Sequence, residues 1–223
     1  MVLDFLTSKK AVVTWSGGLD STSLIPFMME EYNLEIFPIF INRKQKNYVA
    51  EAKAVRYFTR IFSRKYASTF HKPFEVKTLI PPLEFKKYFP QTDVEKTHAL
   101  RNSDIVNQAV RYALILEIEF ILVGSNVKDQ FKDNSPLYWR KKTDEIRYGT
   151  GNNELQVIAP FQELGWDKKD MILWCYNHNI PIEKSWSCWE ALDKHCGICP
   201  PCKRRKEAFN EAHVKDLTIY LEQ

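Results

Sequence analysis

An apolar strand that runs into a helix through two adjacent glycines constrains this chain more than any other feature. The segment "KKAVVTW" (9–15) reads as a buried strand, and a helical pattern occupies 21–32. Between them lies "SGGLDST" (16–22), which takes two of only seven glycines in 223 residues. Gly17 and Gly18 admit positive φ and let the backbone approach a ligand with no Cβ in the way. Amides of such a loop and of the first helical turn point outward, and the helix dipole favours an anion there. Ser16, Ser21 and Thr22 add hydroxyl donors. Asp20 would repel phosphate unless a divalent metal bridges the two, so Mg²⁺ is a natural companion. The lysine of the Walker pattern is missing, and so is the spacing of the dinucleotide fingerprint.

The rest of the chain repeats the alternation. Further strands are expected at 35–42, 72–80, 119–126 and 155–161, with helices over 48–68, 101–118 and 167–179. In the 101–118 segment Ile105, Val106, Ala109, Val110, Ala113 and Leu116 fall on one face. Alternating strands and helices of these lengths predict an α/β fold, a doubly wound and mostly parallel sheet. The stretch 127–153, polar and without sustained period, reads as a long surface loop of the kind that carries function. Residues 1–185 are expected to form the main domain, and 186–223 a small C-terminal helical unit packed on it.

That unit is built around "SCWEALDKHCGICPPCKRR", a C-x7-C-x2-C-x2-C array of Cys188, Cys196, Cys199 and Cys202. Two consecutive C-x2-C steps let thiolates converge on one ion, and a fourth closes a tetrahedron with no open position, which makes a zinc site structural. An iron–sulfur cluster is the main competitor. Zinc is preferred because charged, solvated sequence surrounds the cysteines. His195 is expected to be a bystander and Cys175 a buried core thiol. The basic run 203–206 reads as a solvated helix face rather than a nucleic-acid contact. A net charge of +4 suits a nucleotide or another anion. No stretch is apolar and long enough to span a membrane, and a cytoplasmic enzyme is expected.

The "SGGLDST" segment resembles the pyrophosphate-loop signature of the adenine-nucleotide α-hydrolase-like ATP pyrophosphatases. With the downstream motifs, the chain resembles the queuosine-pathway family of 7-cyano-7-deazaguanine synthases over nearly its whole length. Trp186 through Phe209 follow that family's W-S-C-[YW] … C-G-x-C-x-x-C-x-x-R-x-x-A-F pattern. Asp216, Thr218 and Tyr220 follow its D-P-T-x-Y ending, with Leu217 in place of proline. "ALRNSDIV" carries its Arg-Asn pair at Arg101 and Asn102, "VGSNVKD" leads to its aspartate at Asp129, and "GWDKKDMI" matches its lysine at Lys168.

The resemblance implies ATP bound by Ser16, Gly17, Gly18, Leu19, Asp20, Ser21 and Thr22, with Mg²⁺. It also implies adenylation of 7-carboxy-7-deazaguanine, amidation by ammonia and dehydration to the nitrile, with structural zinc and commonly a homodimer. Lys168 and Arg101 are the candidates for stabilising charge near the α-phosphate. One departure stands out. Where the family runs Tyr-Ser-Gly-Tyr-Pro-Asp-Cys after the aspartate, this chain has "QFKDNSPLYWR", with Asp133, Asn134 and Tyr138 as its polar or stacking groups. Synthase-like proteins of bacterial antiviral operons, which attach a deazaguanine to a protein or nucleic-acid acceptor, are therefore the alternative.

Overall fold

Strand β1 (Lys10–Thr14) lies at the middle of a five-stranded sheet in the computed structural model, which describes residues 2–78, 100–129, 131–190 and 192–221. Its neighbours are β2 (Glu35–Asn42) and β4 (Phe120–Leu122), with β3 (Phe74–Lys77) and β5 (Gln156–Ile158) at the edges. The order is β3-β2-β1-β4-β5, and every pairing is parallel. Residues 79 and 80, assigned to the third strand from sequence, lie outside the described residues.

Successive side chains of β1 face opposite ways. Ala11 and Val13 join a core with α1 (Leu19–Tyr32), α2 (Tyr48–Lys65) and α6 (Lys168–Asn177). Val12 joins a second core with α3 (Arg101–Ile115) and α4 (Pro136–Thr150). Helices thus cover both faces, as the doubly wound α/β expectation requires. The first core is aromatic: Phe58 and Phe62, one turn apart on α2, are fully buried, and Trp15 packs on Phe62 with centroids 6.1 Å apart. Truncating either phenylalanine to alanine would cost about 3–5 kcal/mol.

Most of the 127–153 stretch, expected as a loop, is helical among the described residues. A short 3-10 turn over Lys132–Asn134 leads into the four-turn helix α4. Its end signals are clear: Ser135 caps it by accepting from the Tyr138 N–H at 3.2 Å, Pro136 starts it, and Gly151 ends it at φ 71°. Its buried face hides the period, because Trp139 and Ile146 share it with Lys142 and Thr143. Both polar residues are satisfied. Lys142 Nζ donates to Ser103 Oγ at 2.9 Å and to Glu145 at 2.7 Å, and Thr143 accepts from the Val157 N–H at 3.0 Å. Past β5, the expected strand 155–161 turns at Pro160 into the short helix α5 (Pro160–Glu163).

Helix α7 (Pro200–Glu211), capped by Cys199 and carrying Cys202, sends Ala208 and Phe209 into the first core. Its basic run is not wholly solvated, since Arg205 is fully buried. Its Nε donates to Thr218 Oγ1, its Nη1 to Ser185 and Ser187 Oγ, and its Nη2 to the Ile182 carbonyl, all at 2.9 Å. Those partners pin the segment preceding Cys188. Among the described residues no helix is long and apolar enough to cross a membrane.

Candidate active site

In this strand order the connections that leave β1 and β4 run to opposite faces of the sheet, so a crevice opens outside the carboxyl ends of these two strands. A cavity of about 340 Å³ occupies it, lined by the β1–α1 loop, the segment after β2, the start of α3, Lys168 and the cysteine unit.

The β1–α1 loop is held from within. Ser16 N–H donates to Ser21 Oγ at 3.2 Å, the two serine hydroxyls are 3.1 Å apart, and Gly18 N–H donates to Ser16 Oγ at 3.2 Å. Gly17 takes φ 76°, and a Cβ there would lie 2.8 Å from the Glu51 carbonyl oxygen. Gly18 differs from expectation: it is the N-cap of α1 at φ −72°, so only Gly17 needs the left-handed region. Gly124, just past β4, lets the start of α1 approach, since a Cβ there would stand 2.8 Å from Ser21 N and Cα. Leu19 is buried. Thr22 turns inward and is fully buried, its hydroxyl accepting from Trp15 Nε1 at 3.0 Å, so it braces the loop.

Asp20 and Lys168, 148 positions apart in sequence, form an ion pair at the mouth of the loop. Asn126 Nδ2 adds a hydrogen bond to Asp20 at 3.0 Å. Lys168 starts α6, whose N-cap Asp167 completes a capping box and aims the lysine. Asp129 lies beside them and accepts from Asn126 N–H at 2.9 Å and from Asn134 Nδ2 at 2.6 Å. Burial first, and then the Asp20 charge, push its carboxyl above the usual range.

Arg101 opens α3 and lines the same cleft, its Nε buried without a partner among the described residues. Burial lowers its pKa, opposed by Asp133, Glu51 and Asp129. Asn102 faces α4's entry turn, its N–H donating to Asp133 Oδ2 at 3.2 Å and its Nδ2 to the Asp133 carbonyl at 3.0 Å. The departing segment therefore contributes to the site. Asn134 and Trp139 line the cleft, while Asp133 holds Asn102 and Tyr138 packs edge-on against Trp139.

Sequence reasoning missed Arg43, Glu51 and Trp186, which also line the cleft. Arg43 carried a usable signal, because it directly follows β2 at the sheet edge where ligands bind. Glu51 was hidden within the helical pattern of α2, and Trp186 within the cysteine motif.

The four cysteine sulfurs lie within 4.8 Å of one another, with Cys188–Cys199 at 3.9 Å and Cys196–Cys202 at 4.0 Å. Zinc–sulfur bonds of about 2.3 Å at a tetrahedral ion put sulfurs roughly 3.8 Å apart, so the set fits zinc. Backbone N–H groups support it, Cys196 N–H donating to Cys188 Sγ at 3.4 Å and Cys199 N–H to Cys196 Sγ at 3.3 Å. His195 stands aside: its Nε2 accepts from Ser187 N–H at 3.1 Å, and burial lowers its pKa to about 3. Cys175 is fully buried on α6, and burial raises its thiol to about 12.

The family model described as "Queuosine biosynthesis protein QueC" matches residues 10–213. The 7-cyano-7-deazaguanine synthase of Methanobrevibacter smithii is 30% identical over 237 residues, covering 97% of this chain and 100% of that protein. That of Methanosphaera stadtmanae is 29% identical over 227 residues, covering 95% and 98%. That of Oceanobacillus iheyensis is 29% identical over 224 residues, covering 97% and 100%.

Proposed function

The chain belongs to the queuosine biosynthesis QueC family, and from that premise we propose that it converts 7-carboxy-7-deazaguanine to 7-cyano-7-deazaguanine at the cost of two ATP. A carboxylate resists attack by ammonia until one oxygen becomes a leaving group. The substrate carboxylate attacks the α-phosphorus of ATP, giving an acyl adenylate and pyrophosphate. Ammonia then displaces AMP and, on losing a proton, leaves the amide. The amide oxygen attacks a second ATP, pyrophosphate leaves, and loss of AMP and a proton creates the nitrile.

The observation that carries this reading is the convergence of the β1–α1 loop, Lys168 and Arg101 on one cleft. In it, Ser16, Gly17, Gly18 and Ser21 receive the pyrophosphate end of ATP, and Leu19 and Thr22 hold the loop in shape. Lys168 and Arg101 supply positive charge where negative charge grows on the reacting oxygens. Asp20 and Asp129 are neighbouring hard oxygen donors, the Asp129 carboxyl pushed up by burial first and then by the Asp20 charge, a setting that suits Mg²⁺ entering with ATP. Residues 1–185 then form the nucleotide-binding part, and 186–223 a zinc-stapled wall that supplies Trp186 and takes no part in the chemistry.

The test is the first half-reaction. Exchange of labelled pyrophosphate into ATP should depend on 7-carboxy-7-deazaguanine and should not require ammonium. No exchange with that acid would reject the reading. The observation that Asn134 and Trp139, from the segment departing from the family pattern, line the cleft favours one second reading. There the adenylate passes to a protein or nucleic-acid acceptor, and labelled deazaguanine would become attached to a macromolecule in place of forming nitrile.

A further inference from the structure

Two guanidinium groups share one side of the cleft, and the described residues leave most of their donors unused. Of the Arg43 donors, only the main-chain N–H is hydrogen-bonded among the described residues, to Gln45 Oε1 at 2.8 Å. Arg101 Nε is buried with no partner among the described residues, and Nη2 reaches Asn102 Oδ1 at only 3.4 Å.

The nearby carboxylates are already engaged. Glu51 accepts from Gln45 Nε2 at 2.7 Å and from Asn47 Nδ2 at 3.0 Å. Asp133 Oδ2 takes the Asn102 N–H, and Asp129 Oδ2 takes Asn126 and Asn134. Asp104 adds a further negative charge facing Arg43. Burial first, and then Arg101, lower the Arg43 pKa to about 10. Two cations held close together and partly desolvated are a costly arrangement that an incoming anion relieves.

The shape of the donors selects the anion. A guanidinium presents a planar fork that matches a carboxylate in two parallel hydrogen bonds. Resting on the reaction proposed above, we propose that Arg43 and Arg101 clamp the carboxylate of the acid substrate and present it for activation. The amide formed midway carries no charge, so the clamp grips the acid and releases its hold on the amide. Arg43 thereby sets the preference of the first half-reaction.

The test compares 7-carboxy-7-deazaguanine with its carboxamide, by kcat/KM at saturating ATP and by calorimetric binding. Arg43→Gln should lower kcat/KM for the acid by at least about tenfold more than for the amide, the loss of a charged hydrogen bond. Arg43→Lys should keep part of the preference, because it retains the charge without the fork. An equal loss for both compounds, or a raised KM for ATP with the acid preference unchanged, assigns these guanidiniums to phosphate and overturns the clamp. If the wild type turns over neither compound, the proposed reaction fails and calorimetry decides the clamp alone. Tighter binding of acid than amide that Arg43→Gln abolishes then upholds it, and no such preference overturns it.

Discussion

The main-chain N–H of Trp186 donates to the Gly17 carbonyl at 2.8 Å, tying the cysteine unit directly to the β1–α1 loop. A second tie runs from Asn47 Nδ2 to the Cys188 carbonyl at 3.0 Å. The four-cysteine wall and the proposed phosphate loop are therefore one mechanical assembly. Arg205 stiffens it by holding Ser185 and Ser187 on either side of Trp186.

Metal removal should reach the loop through that assembly. Cys199→Ser is expected to lose zinc and solubility together, because structural zinc contributes folding free energy directly. Metal analysis should find about one zinc per wild-type chain and little in the variant. A soluble, metal-free variant with wild-type ATP affinity would show that the two regions are independent.

Gly17→Ala forces a side chain into φ 76° and within 2.8 Å of the Glu51 carbonyl oxygen. The left-handed backbone alone costs about 1–2 kcal/mol. ATP affinity measured by titration calorimetry should fall at least tenfold, with a smaller drop in melting temperature. Gly18→Ala, at φ −72°, should be milder because its backbone is ordinary.

Lys168→Met leaves Asp20 with Asn126 as its remaining described partner and removes positive charge from the loop's mouth. We expect kcat to fall roughly 10²-fold or more, as for other lost electrostatic donors to a transition state. The melting temperature should fall as well, since the pair is only 23% and 17% exposed and its loss leaves Asp20 and Asp129 without that cation. Steady-state kinetics beside a thermal melt separates these effects, and an unchanged kcat would remove Lys168 from the mechanism.

Cys175 should be inert. With the thiol raised to about 12, almost no thiolate exists near neutral pH, and the side chain has no exposure. Mass spectrometry after iodoacetamide treatment should find Cys175 unmodified in the folded protein and alkylated after denaturation. Labelling of the native protein at Cys175 would contradict its place in the core.

Much of this architecture was legible in the residues because the signals were short-range. Val12 against Ala11 and Val13 encodes a strand buried on both faces, and Asp167 with Asp170 encodes the start of α6. The cysteine spacing gave the cluster by itself. Helix α4 was hidden because tertiary partners satisfy Lys142 and Thr143 on its inner face, so hydropathy did not repeat every turn. Asp20 with Lys168, and Arg43 beside Arg101, are brought together only by the tertiary fold, and no local pattern records those neighbours.

Product identity tests the proposed chemistry most directly. Purified chain, ATP, Mg²⁺, ammonium and 7-carboxy-7-deazaguanine should yield a compound of the mass of 7-cyano-7-deazaguanine, with about two AMP formed for each nitrile, one for each carbon–oxygen bond that must be activated and broken. AMP released with no nitrile, and the deazaguanine recovered on a macromolecule or unchanged, would contradict it.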